Sequence, residues 1–210
     1  MQPQQRPGRA LDIGAHFVQS HTYDTVLVIG AEKMSSVVDW QDRNTCVLFG
    51  DGAGAVVLQA SSAPGIVATR LHADGHQSGI LCAPGAVSGG QVIGDPVLKM
   101  DGPAVFKAAV TVLEQVANEV LHAAGRDASC LDWLIPHQAN LRIIESVAKY
   151  AGIPMDKVYV NVDRYGNTSA GSIPIALDEA RRAGRIKSGD ITLLVAFGAG
   201  LTYGSALIRW

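Results

Sequence analysis

The sequence predicts an α/β protein in which helices cover a mixed sheet. Three observations lead there. Short apolar runs rich in β-branched residues alternate with longer stretches of helical period. Gly-rich segments punctuate the junctions between them. The 210 residues are 48% hydrophobic and 17% charged, which suffices to bury a sizeable core in one large domain or two small ones.

Residues 1–9 (MQPQQRPGR) carry no apolar period, and their Gln/Pro/Arg content predicts disorder or a foreign junction. From Ala10 the positions Leu11, Ile13, Gly14, Phe17 and Val18 recur at helix spacing. Thr25–Ile29 reads as a buried strand bounded by Gly30, and two further strands, Thr45–Phe49 and Ala55–Leu58, flank a Gly-rich turn. A loop-rich stretch follows from about Ser61 to Asp101. Val105, Phe106, Ala109, Val110, Leu113, Val116, Val120 and Leu121 then form one stripe of a long helix that Gly125 terminates. Leu131–Ile135 is a strand, residues 141–151 a helix ended by Gly152, and Val158–Asn161 a strand. A helix from Ser169 to Ala183 and two strands, Ile191–Ala196 and Ser205–Ile208, close the chain. The elements after about Ser61 make a complete unit, and those before it the tail of one.

Bulk properties remove several function classes. A net charge of −2 gives no global basic field for nucleic acid, so an acidic partner must meet a local basic patch. Cys46, Cys82 and Cys130 are odd in number and widely spaced, which argues against a disulfide framework or zinc site and for reduced thiols in a cytoplasmic protein. No apolar run is long enough to span a membrane, and the N-terminus has no signal-like apolar core. Gly50–Gly54 lacks the Lys-Ser/Thr of a phosphate loop and reads as a tight β-connection. His72-Ala-Asp-Gly-His76 offers too few ligands for a metal, so no metal site is expected.

Two segments bear chemistry: Ile135-Pro-His-Gln-Ala-Asn140 and Tyr165-Gly-Asn-Thr-Ser-Ala170. Each puts a polar donor, His137 or Asn167, on a strand-to-helix loop, where α/β folds place reactive groups. Alone, His137 reads as a structural histidine and Asn167 as a helix cap. Joined by Ala196-Phe-Gly-Ala-Gly-Leu-Thr-Tyr-Gly204 and Phe49-Gly-Asp-Gly-Ala-Gly-Ala55, in this order and spacing, they carry more. Together these motifs resemble the β-ketoacyl-ACP synthase III family, and the resemblance runs from about Ala10 to Trp210.

The resemblance implies a thiolase-like fold with residues 10–60 as the remainder of a first half and 61–210 as a second half. It implies an acyltransferase that joins an acyl-CoA primer to malonyl-ACP by decarboxylative condensation, with no cofactor beyond these substrates. His137 and Asn167 match the donors that stabilise the enolate, a role two neutral N–H groups suit. Ala199 matches the backbone oxyanion donor, at a place commonly held by Gly. Arg43, Phe106, Ala139, Asn140 and Arg142 match positions that contact CoA or the pantetheine arm. Lys107, Arg142 and Lys149 are the candidates for docking acyl carrier protein. Family members are homodimers.

The family's nucleophilic Cys segment has no counterpart. Counting back from Ala10 lands on Gln4, and its flanks Gln5-Arg6-Pro7-Gly8 do not match. None of the three cysteines fits the role. The resemblance thus implies a member shortened at its N-terminus and impaired in condensation. The alternatives are a non-catalytic subunit that still binds CoA or ACP, and a condensing enzyme of secondary metabolism.

Overall fold

The computed structural model describes residues 7–63 and 65–210. The disorder expected of residues 1–9 lies outside the described residues for 1–6, while Pro7, Gly8 and Arg9 open the first helix, α1 (Pro7–Gln19). Strand β1 (Thr25–Glu32) pairs antiparallel with β2 (Gly52–Gln59) along its whole length, from Thr25↔Gln59 to Glu32↔Gly52. Because side chains alternate across a strand, Val26, Val28 and Leu58 face α1, where they surround Gly14. Leu27, Ile29 and Val57 point the other way and are exposed.

Strand β3 (Ile66–Ala73) was not foreseen in the loop-rich stretch. It forms the edge of the main sheet by pairing with the last strand. Short strands β4 (Leu81–Cys82) and β7 (Lys99–Met100) pair with each other, as do β5 (Ala86–Ser88) and β6 (Gln91–Ile93). Helix α2 (Gly102–Ala123) starts at Asp101, whose carboxylate accepts the Ala104 N–H, and Gly125 follows its end at φ 64°. Strand β8 (Trp133–Pro136) leads into α3 (Leu141–Tyr150). The short α4 (Val162–Tyr165) precedes a 3-10 turn, Ser169–Gly171, and then α5 (Ser172–Arg182). Strands β9 (Ile191–Gly198) and β10 (Thr202–Arg209) form the final hairpin.

The main sheet runs β3-β10-β9-β8, parallel between β8 and β9 and antiparallel elsewhere. Both of its faces are covered, so β9 is apolar from Leu193 to Phe197, after Thr192, whose buried hydroxyl accepts the Trp210 indole N–H. Leu193, Val195 and Phe197 join Leu134 and Leu207 in a core with α2 and α3. Leu194 and Ala196 join Ile135, Ala206 and the α5 residues Ile173, Ala176 and Leu177 in a second core on the other face.

Two expected strands do not form. Thr45–Phe49 is a series of turns that ends in a single bridge from Phe49 to Asn167. Asp42 is responsible: its carboxylate accepts the Asn44 N–H and the Thr45 hydroxyl, which holds the chain in a local turn. Val158–Asn161 makes only one bridge, Leu134↔Val158, because the Gln138 side chain occupies the next backbone positions. The helix expected from Ser169 is regular only from Ser172.

Candidate active site

Strand alternation decides where His137 points. Leu134 enters the α2/α3 core and Ile135 the α5 core, so two residues on His137 faces α5 again. The His137 N–H extends the parallel ladder by donating to the Val195 carbonyl, at 2.8 Å. Its Nδ1 lies 2.6 Å from the Ser172 hydroxyl at the first turn of α5, and both residues are buried. Burial pushes the imidazole down to about 4, so it is neutral at pH 7. Its Nε2 has no partner among the described residues, yet it is not one of the sealed polar atoms that lack a hydrogen bond. It therefore faces accessible space.

Asn167 sits where α4 gives way to α5. Its backbone is pinned on both sides: its N–H donates to Leu48 O and its carbonyl accepts the Gly50 N–H. Its side-chain oxygen accepts the Ser169 N–H at 2.9 Å, and among the described residues the amide nitrogen has no acceptor, which leaves it as a free donor. Ser169 holds a left-handed backbone, φ 54°, beside it.

The Gly-rich motif at 49–55 supplies the surface that lets this loop approach. A Cβ on Gly50 would lie 2.2 Å from the Tyr165 carbonyl, and one on Gly30 2.1 Å from that of Ala170. Gly54, opposite Gly30 in the β1–β2 register, meets Pro174 in the same way. The Gly-rich segment is thus the seat of the Asn167 loop as well as the approach to β2.

Sequence reasoning missed three residues that organise the site. Gln138 is fully buried; its amide donates to Pro136 O and Tyr159 O, and its oxygen accepts the Asn161 N–H. It stitches the His137 strand to the segment leading to Asn167. Glu179 accepts from Asn161, Arg164 and Tyr165, bracing α4 from α5. Burial alone would raise the Glu179 carboxyl, but those three partners outweigh it and hold it below its ordinary value. Ser172 completes the set. Only Gln138 lay inside a noticed motif; the other two bonds depend on tertiary approach.

The other expected residues are spread over α2, α3 and three loops. Phe106 on α2 and Arg142 on α3 come together, the guanidinium 5.5 Å from the ring centroid. Half-buried Ala139 and Asn140 lie between His137 and α3, and Asn140 caps that helix by accepting the Arg142 N–H. Ala199 lies in the β9–β10 turn, and among the described residues no backbone carbonyl accepts its N–H. Lys107, Lys149 and Arg43 are exposed, Arg43 on the turns of residues 39–49. Cys46, Cys82 and Cys130 are free and half-buried, and no thiol bonds to His137 or Asn167 among the described residues. Gln4 lies outside the described residues.

His72 is taken up by Glu119 (2.6 Å) and the Asp74 carboxylate by the His76 N–H. Among the described residues no group of three His, Cys, Asp or Glu side chains could hold a metal ion, and no helix is long and apolar enough to cross a membrane. A large cleft of about 1220 Å³ lies elsewhere, between α1, β2, α5 and Trp210, and neither His137 nor Asn167 lines it.

Comparison with known proteins closes the question of kinship. The profile for 3-oxoacyl-[acyl-carrier-protein (ACP)] synthase III matches residues 8–75, and that for its C terminal matches residues 121–210. The chain belongs to the 3-oxoacyl-ACP synthase III family. It is 56% identical over 200 residues to the beta-ketoacyl-[acyl-carrier-protein] synthase III of Bordetella petrii, an alignment covering 95% of this chain and 61% of that one. The crystal structure of 3-oxoacyl-[acyl-carrier-protein] synthase III from Aquifex aeolicus superposes with a TM-score of 0.90 at 48% identity, over 96% of this chain and 63% of that chain. The Thermus thermophilus enzyme gives 0.89 at 43%, over 96% and 64%. The fold is therefore the thiolase-like fold of this family, and the chain spans about three-fifths of the length of these relatives.

Proposed function

We propose that residues 135–172 form the enolate-stabilising part of a decarboxylative condensing site, acting on the malonyl thioester of acyl carrier protein. The single observation that carries this reading is that each of two pinned strand-to-helix loops presents a free N–H donor. These are the neutral His137 imidazole, open at Nε2, and the Asn167 amide, open at nitrogen. Loss of CO2 breaks the bond between the carboxylate and the α-carbon and leaves the electron pair on that carbon. The charge spreads to the thioester oxygen as an enolate. Donors already fixed and already neutral stabilise that oxygen without having to reorganise. Ala199, with its free N–H on the β9–β10 turn, suits the later tetrahedral oxyanion formed when the enolate attacks an acyl thioester.

In the family reaction the acyl primer is delivered from CoA and the condensation starts fatty-acid synthesis. The thiol that would carry that primer is not supplied by Cys46, Cys82 or Cys130, none of which bonds to His137. The expected activity of residues 7–210 is therefore decarboxylation, with condensation weak or absent. The Arg142–Phe106 pair with Ala139 would border the pantetheine arm, and Lys107 and Lys149 would help dock the acidic carrier protein. A binding subunit without chemistry is the rival, since the same surfaces serve it.

The test is release of CO2 from malonyl-ACP by the purified chain. His137→Ala and Asn167→Ala should each slow it by about a hundredfold or more, the usual cost of one oxyanion donor. Rates equal to the unaltered chain in both variants would leave only the binding role.

A further inference from the structure

The Ser172 hydroxyl is buried at the first turn of α5, with two neighbours in hydrogen-bond range. One is His137 Nδ1 at 2.6 Å; the other is the Gln138 N–H at 3.4 Å, which can only donate. A buried hydroxyl hydrogen needs an acceptor, because leaving it unpaired carries the full cost of its desolvation. Among the described residues no carbonyl or carboxylate accepts from Ser172 Oγ; in particular the Thr168 carbonyl, one turn back, receives the Gly171 N–H. His137 Nδ1 is the acceptor that remains. An imidazole nitrogen that accepts carries no proton, and a neutral ring then bears its proton on the other nitrogen.

We propose that Ser172 is a positioning residue that donates to His137 Nδ1 and so fixes the imidazole as its Nε2–H tautomer. The hydroxyl aims the one N–H of the ring out of the α5 core and toward the accessible side, where Nε2 has no protein partner. The Gln138 N–H, with no backbone acceptor among the described residues, lies on the lone-pair side of the hydroxyl and favours this orientation. With the opposite tautomer, Nε2 would present a lone pair to the oxygen it is meant to stabilise, and the Ser172 hydrogen would be orphaned. This inference deepens the decarboxylation reading and rests on it for its catalytic consequence, but the tautomer itself can be read without any substrate.

The experiment is nitrogen-15 NMR of the imidazole in the full chain near pH 7, with the His137 signals assigned by their loss in His137→Ala. The unaltered chain should show an unprotonated Nδ1 and a protonated Nε2. Ser172→Ala removes one oxygen and should give a mixture of tautomers. It should also lower kcat for malonyl-ACP decarboxylation about tenfold with KM unchanged, the scale of one hydrogen bond. Ser172→Thr, which keeps the hydroxyl, should restore both. A proton found on Nδ1 in the unaltered chain overturns the proposal even if no variant folds. So does a spectrum that Ser172→Ala leaves unchanged. A chain that shows the expected tautomer shift yet releases no CO2 upholds the hydroxyl's role and sinks the decarboxylation reading instead.

Discussion

His137 is neutral because it is buried, and that has a consequence for stability. Its folded pKa of about 4 lies below the ordinary value of 6.5, so between those two values the unfolded chain binds more protons than the folded one. The stabilisation is complete above pH 6.5 and is lost as pH falls toward 4, by an amount on the order of 3 kcal/mol. Urea unfolding followed from pH 7 to 4.5 should show this slope, and His137→Asn should flatten it. An unchanged slope would mean that other groups govern the acid limb. Ser169 offers a second residue-level prediction. It is a buried non-glycine residue at φ 54°, and among the described residues its hydroxyl makes no hydrogen bond of good geometry, although it lies near enough to the Glu32 carboxyl to favour that group's charged form. A left-handed non-glycine residue costs about 1 kcal/mol or more, so Ser169→Gly should raise the melting temperature by a few degrees. A lowered one would show that the hydroxyl has a role hidden in the folded state, with the nearby Glu32 carboxyl as its first suspect.

At the scale of elements, the motifs were readable but their purpose was only half so. The PHQAN and GNTSA segments named His137 and Asn167 from the sequence, and apolar periodicity placed α2 and α3. Periodicity cannot see long-range hydrogen bonding. Thr45–Phe49 has a strand's composition, yet Asp42 turns it locally, and its one ladder contact goes to Asn167. Strand β3 was missed for the converse reason: His72, Arg70 and Thr69 break the apolar run of an edge strand that pairs on one side only. The glycines of residues 50–54 read as a turn because nothing local reveals the Tyr165 carbonyl lying where a Cβ of Gly50 would be. Gly50→Ala must push the Asn167 loop away. It should cost about 1–3 kcal/mol, the usual penalty of overpacking, and lower decarboxylation beyond the loss of folded protein. Differential scanning calorimetry with rate measurements on the folded fraction separates the two effects. A variant with full activity would show that the loop position is not set by this contact.

Across the whole molecule, the sheet stands between two cores, and His137 belongs to the α5 side while Arg142 and the basic positions belong to α2 and α3. On the proposed function a long flexible arm would suit that separation, because the surface meeting a carrier and the donors meeting its thioester would not need to adjoin. The net charge of −2 makes long-range attraction of an acidic carrier weak, so on the proposed function capture would be local. On that proposal Arg142 is the centre of it. It stacks on Phe106, adjacent in sequence to Lys107, and Lys149 follows two helical turns later on α3. Removing Lys107 or Lys149 should weaken carrier binding about threefold each, as for exposed charges. Arg142→Ala should do more, since it also uncovers Phe106. Binding of malonyl-ACP at low and high salt, with malonyl-CoA as the small substrate, distinguishes docking from arm recognition. Lys107 and Lys149 variants should lose salt dependence with ACP and behave normally with CoA, whereas Arg142→Ala should weaken both. Equal affinities across all three variants would place the carrier's docking surface elsewhere on the protein.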